Sequence, residues 1–136
     1  MFSKLRNMKI LIIDDDEWIR DSLRIFFEAE GCHAAALETA EEGLAELKNQ
    51  AYDIILVDYQ LPGLDGLEFL KRIPEEHSDT VKVLITAYRT SGLVSEARKL
   101  KIQGFIEKPF TSESLLASLA HLIGLSEFRK QRGVQG

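Results

Sequence analysis

Short, almost wholly apolar runs alternate with segments whose apolar residues recur every three or four positions, and the pair repeats five times. The first run, Met8 to Ile13, has no polar alternation, which predicts a strand buried on both faces. Ile19, Leu23, Phe26 and Phe27 then recur at helical spacing, with Asp16 as N-cap and Gly31 closing the helix. The second strand is weak, near His33 to Ala36. Thr39 and Glu42 form a capping-box pattern before a helix whose inner face carries Gly43, Leu44 and Leu47. A third strand, Asp53 to Val57, ends at Asp58 and is followed by a turn-rich loop, Leu61 to Gly66. Helix three turns Leu67, Leu70 and Ile73 inward and is stopped by Pro74. Strand four is Val81 to Ile85; helix four runs from about Leu93 to Lys101 on Leu93, Ala97 and Leu100. Strand five is Gly104 to Ile106. Helix five starts at Ser112 as N-cap and buries Leu115, Leu119, Leu122 and Ile123.

Parallel strands need crossover connections, so this alternation predicts an α/β fold: a doubly wound five-stranded parallel sheet with helices on both faces. The expected domain plan is an N-terminal extension over 1–7, one domain over 8–124, and a tail or linker over 125–136 that carries Arg129, Lys130 and Arg132. A length of 136 residues suits one domain.

An apolar fraction of 45% supplies an ordinary core, and a net charge of −5 gives no global field that draws nucleic acid. Cys32 has no intrachain partner, and no apolar run reaches the roughly 18 residues that span a bilayer. The expectation is a cytoplasmic protein without membrane or direct nucleic-acid binding.

In open α/β sheets, ligands bind beyond the carboxyl ends of the strands. Strand one ends in Asp14-Asp15-Asp16, strand three in Asp58, strand four in Thr86, and strand five is followed by Glu107-Lys108-Pro109. Two carboxylates about 4 Å apart repel by about 4 kcal/mol at an effective dielectric near 20, so such a rim calls for a cation. An all-oxygen donor set suits Mg²⁺, and no His or Cys stands at these strand ends to favour a softer metal. Asp58 can act as a nucleophile toward phosphorus, Lys108 can neutralise the transferring group, and Thr86 can donate its hydroxyl to a phosphate oxygen.

Four stretches, in order, resemble the receiver domain of bacterial two-component response regulators: Ile12-Ile13-Asp14-Asp15-Asp16-Glu17, Asp58 to Gly66, Leu84-Ile85-Thr86-Ala87, and Lys108-Pro109-Phe110. The resemblance covers about residues 8 to 124. It implies a flavodoxin-like fold with strand order 2-1-3-4-5. It implies phosphorelay signalling, in which a phosphohistidine of a histidine kinase or phosphotransfer protein gives its phosphoryl group to Asp58. It implies Mg²⁺ held by Asp15, by Asp14 through a water, by Asp58 and by the backbone carbonyl of Gln60. Thr86 and Lys108 match the phosphate-contacting pair, and Phe105 matches the aromatic that turns inward on activation. A cis bond before Pro109 is also implied, as is a changed face of helix four, strand five and helix five. That face would meet an unknown output partner or effector domain, and a homodimer on phosphorylation is a further expectation. No enzymatic activity beyond self-phosphorylation and slow self-dephosphorylation is implied.

The chain departs from the commonest pattern at Leu61, where methionine is frequent, at Phe105 in place of tyrosine, and at Tyr88, a bulky residue near the pocket mouth. Tyr88 is expected to hinder the water that hydrolyses phospho-Asp58. Trp18, beside the acidic cluster, is a candidate fluorescent reporter. Arg98, Lys99 and Lys101 read either as a solvated face of helix four or as part of the output surface. His33, His77 and His121 share no ligand spacing and read as structural or surface residues.

Two rival functions use the same residues. Haloacid-dehalogenase-type phosphatases carry an Asp-x-Asp motif after strand one, which Asp14-Asp15-Asp16 superficially resembles. Trp18 and the lack of a late acidic pair and a cap insertion argue against that scheme. The other rival is a receiver-like module that binds partners without phosphorylation.

Overall fold

The structure, a computed structural model, describes the backbone of residues 5–135 and the side chains of 5–124. Five strands, β1 (Lys9–Ile13), β2 (His33–Leu37), β3 (Ile54–Asp58), β4 (Val81–Thr86) and β5 (Gly104–Glu107), form one parallel sheet in the order β2-β1-β3-β4-β5. The crossovers are helices α1 (Glu17–Ala29), α2 (Ala40–Leu47), α3 (Gly66–Lys71) and α4 (Ser91–Lys99), and α5 (Ser112–Gln135) follows β5. The architecture and strand order are those expected from the alternation and the resemblance.

Strand side chains alternate between two cores. Ile10, Ile12, Ile54, Leu56, Val83, Ile85 and Ile106 face Leu23 and Phe27 of α1 and Leu115, Leu119 and Ile123 of α5. Leu11, Ile13, Ile55, Val57 and Leu84 face Ala40, Leu47, Phe69, Leu70 and Leu93 of α2, α3 and α4. The sheet is thus covered on both sides, which is why its central strands read as unbroken apolar runs. Leu5 is also buried in the first core, and Cys32 Sγ donates to its carbonyl oxygen at 3.2 Å. The segment before Met8 is therefore not wholly an appendage.

The caps follow local chemistry. Asp16 accepts from the Ile19 amide at the start of α1, and Gly31 takes the left-handed conformation (φ 86°) after its end. Thr39 and Glu42 close the capping box of α2. Apart from the end of α5, element boundaries differ from the sequence reading by one or two residues, most visibly at α4 and at the start of α5. Helix α4 begins at Ser91, capped by Thr90, and Leu100 is its C-cap. The cap of α5 is Thr111, one residue before Ser112: its hydroxyl accepts from the Ser114 amide, and the Ser114 hydroxyl accepts from the Thr111 amide. The backbone of α5 runs on to Gln135, while the side chains of Arg129, Lys130 and Arg132 lie outside the described residues. Among the described residues, no helix is long and apolar enough to cross a membrane.

His77 is buried, its Nε2 2.7 Å from the Leu47 carbonyl oxygen, while His33 and His121 are exposed. These positions agree with structural and surface roles.

Candidate functional site: an acidic pocket at the carboxyl edge of the sheet

Strand register brings the candidate residues to one rim. Ile13 pairs with Val57, so Asp14 and Asp58 emerge at the same level. Asp58 pairs with Ile85, which sets Thr86 one step beyond it, and Thr86 pairs with Glu107, which sets Lys108 one step further. The Lys108–Pro109 bond is cis, in line with the resemblance.

Asp14 is fully buried and Asp58 is 6% exposed, whereas Asp15 is open to solvent. Carboxylate oxygens of the three lie within 4.8 Å of one another. Lys108 Nζ donates to Asp58 Oδ2 at 2.7 Å and stands 3.4 Å from Asp14 Oδ2. The remaining oxygens are tied to backbone. Asp14 Oδ1 accepts from the Asp16 amide at 2.9 Å, and Asp58 Oδ1 accepts from the Gln60 amide at 3.1 Å. Arg20 fixes the chain itself, donating to the Asp14 carbonyl at 2.9 Å. At the start of α3, Gly66 packs against the Asp58 carbonyl so closely that a β-carbon there would collide with it.

Burial holds the Asp14 carboxyl above the usual carboxylate range, and the nearby Asp58 adds to this against the opposing Asp16 amide and Lys108. Burial also pushes the Lys108 ammonium down. Its hydrogen bond to Asp58 and the charges of Asp14 and Asp58 outweigh that and leave it above the usual lysine range. Both shifts express one fact: the pocket holds more negative charge than one lysine neutralises.

A hard divalent cation fits this donor set. All the donors are oxygens, two carboxylates are buried, and Asp14 Oδ2 has no hydrogen-bond partner even though Lys108 lies near it. The cation that receiver domains bind in such an acidic pocket is Mg²⁺.

The other flank of the pocket is different. The Thr86 hydroxyl is buried but donates to the Tyr88 carbonyl at 3.0 Å and accepts from the Tyr88 amide at 3.2 Å. It is engaged within its own loop. Tyr88 is 79% exposed, and the Phe105 ring is half-buried with the Arg89 guanidinium 5.2 Å from its centroid. Arg89 escaped the sequence reading, because nothing in its local pattern pairs it with a residue sixteen positions on. Trp18 is also 79% exposed, beside an apolar cavity of about 560 Å³ between α1 and the start of α5. Lys108 forms one edge of that cavity.

A sheet of this order with an acidic pocket at its carboxyl edge defines a class, the phosphorelay receivers. The family model of the response regulator receiver domain matches residues 10–120, and the chain belongs to that family. It is 33% identical over 118 residues to the transcriptional regulatory protein FixJ of Bradyrhizobium diazoefficiens, an alignment covering 87% of this chain and 58% of FixJ. The match to FlgR of Helicobacter pylori, at 30% identity, covers 94% of this chain and 33% of FlgR, so this chain spans only part of these relatives. Sporulation initiation phosphotransferase F of Bacillus subtilis is 30% identical over 82% of this chain and 90% of its own length. Among solved structures, a CheY-like receiver domain protein from Methanospirillum hungatei superposes with a TM-score of 0.84 at 28% identity, covering 90% of this chain and 98% of that one.

Proposed function

We infer that this chain, through a receiver unit over 8–124, accepts a phosphoryl group on Asp58 from a phosphohistidine of a histidine kinase or phosphotransfer protein. The observation that carries this reading is the contact of Lys108 Nζ with Asp58 Oδ2 at 2.7 Å, beside two further carboxylates. A carboxylate oxygen of Asp58 attacks phosphorus as the bond to the donor nitrogen breaks, and the imidazole leaves with the electron pair. Asp15, Asp58 and the Gln60 carbonyl, with Asp14 through a water, would hold Mg²⁺, which would supply positive charge for the phosphoryl oxygens. Lys108 adds its own positive charge, and the Gln60 amide and Gly66 packing fix the acceptor. Exposed Trp18 and the cavity beside Lys108 give the donor protein an apolar foothold next to the acceptor.

Phosphorylation then adds charge that Thr86 meets by leaving the Tyr88 backbone. Phe105 turns into the space released, and the face of α4, β5 and α5 changes for an output partner, effector domain or second copy. Tyr88 screens phospho-Asp58 from water.

The test is incubation with acetyl phosphate and Mg²⁺, followed by intact mass. A phosphoryl adduct is expected in the wild type and not in Asp58→Asn. No adduct in the wild type would support a phosphorylation-independent module, and an adduct surviving in Asp58→Asn would move the acceptor elsewhere. Phosphatase activity on a generic ester, lost in Asp14→Asn and kept in Asp58→Asn, would favour the haloacid-dehalogenase scheme.

A further inference from the structure

At the opposite end of the sheet, a groove of about 950 Å³ runs between the end of α3, the start of β4 and the end of α4. Its charged lining is Lys71, Lys82, Arg98 and Lys101 against Glu75 and Asp79, four cations to two carboxylates on a chain whose net charge is −5. Lys71 is paired with Glu68, at 3.3 Å. Lys82, Arg98 and Lys101 make no ion pair among the described residues. Lys101 also holds the left-handed backbone (φ 60°) that usually favours glycine, at the end of α4.

Lys82 is the half-buried member. Its backbone is pinned on both sides by one residue: its amide donates to Gln103 Oε1 at 2.7 Å, and its carbonyl accepts from the Gln103 amide at 3.1 Å. Its Nζ donates to the carbonyls of His77 and Thr80, each at the long distance of 3.3 Å. A neutral amine has two N–H bonds and one lone pair. Deprotonation of Lys82 therefore keeps both carbonyl contacts and frees a lone pair on a side chain that lines the groove. Burial lowers the ammonium below the usual lysine range, against the pull of Asp79.

We propose that Lys82 is an acylation site: a nucleophilic amine in an anion-holding groove that reacts with acyl phosphates. The amine attacks the acyl carbon, and a C–N bond forms as the C–O bond to phosphate breaks. Phosphate leaves with that electron pair and takes up the amine proton. Arg98 and Lys101 hold the phosphate half of the donor. The product is a neutral amide with one N–H, so one of the two carbonyl contacts at the start of β4 is lost.

This site is independent of Asp58 chemistry and is tested without it, on the full chain with EDTA present. The protein is treated with acetyl phosphate at pH 8, and acetylation is followed at each lysine by peptide mass mapping. Lys82 is expected to react about fivefold faster than exposed Lys48 and Lys99. Arg98→Ala with Lys101→Gly, a pair that suits the helix and the left-handed backbone, is expected to slow Lys82 about fivefold with acetyl phosphate. The same variant should keep the wild-type Lys82 rate toward the uncharged N-hydroxysuccinimidyl acetate. Lys82 reacting no faster than Lys48 would overturn the proposal. So would a double variant that acetyl phosphate labels as fast as wild type, or one that loses reactivity equally toward both reagents.

Discussion

On the β1–β3 flank of the pocket the two buried acids are anchored. Asp14 and Asp58 are buried, each takes a backbone amide, and Lys108 bridges them. On the β4–α4 flank the ties are local: a buried hydroxyl bonded within its own loop, and an exposed guanidinium over a half-buried ring. The stiff flank suits chemistry, because preorganised charge acts without reorganisation when the phosphoryl group arrives. The soft flank suits signalling, because a two-state element must have a small free-energy gap if one ligand is to shift it. If this division holds, substitutions on the first flank have large effects on chemistry and stability, and those on the second have small effects on populations.

The largest expected effect is that of Lys108→Ala. It leaves two buried carboxylates without their cation, which in EDTA at neutral pH destabilises the fold by about 2–3 kcal/mol after allowance for the partial exposure of Lys108. Urea unfolding measures this, and Mg²⁺ should recover part of it. Unchanged stability would place Lys108 on the soft flank.

Asp14→Asn should act in the opposite direction. In EDTA it stabilises by about 1–2 kcal/mol, because it removes a buried, repelled charge that has no metal to meet. The sign follows from linkage. The folded pKa of Asp14 lies above its unfolded value, so the favourable contribution of the protonated form is present at low pH and fades as pH rises through the folded value. The gap between variant and wild type should therefore widen from about pH 4 upward and then level off. Mg²⁺ should stabilise the wild type more than the variant.

Tyr88→Ala tests the soft flank through a rate. Losing the ring should shorten the half-life of phospho-Asp58 by about threefold, measured by loss of the adduct in intact mass. An unchanged half-life would remove Tyr88 from the screening role.

Arg89→Ala is the smallest. An exposed cation–π contact is worth about 0.5–1 kcal/mol, so the resting loop should lose population by about two- to fivefold. Chemical shifts of Phe105 with and without phosphorylation report this, and Phe105→Leu should abolish the difference between Arg and Ala at position 89.

Much of the fold was legible because burial on both faces erases polar alternation from strands such as Ile54 to Val57, and because Asp16 and Thr39 cap helices by local chemistry. The pocket was legible for a topological reason: parallel strands deliver their carboxyl ends to one rim. Short elements were less clear. Helix α3 has six residues, too few for a period, so the complete burial of Phe69 went unseen while Leu67 and Ile73 turned out only partly buried. Thr111 and Ser112 are equally good caps, and only backbone geometry separates them. Ser91 and Gly92 carry no apolar signal, which hid the first turn of α4. The orientation of the Thr86 hydroxyl and the position of Lys82 over two carbonyls are rotamer facts that no one-dimensional pattern contains.

The small ring that Thr86 closes with the Tyr88 peptide has a consequence for tuning. Under the proposed function, a hydroxyl already satisfied at rest would answer only to the difference between two acceptors, a peptide oxygen and a phosphoryl oxygen. The set point of such a device would then be written in the curvature of a three-residue turn. Changing that curvature would recalibrate the response while the acids beneath it stay as they are.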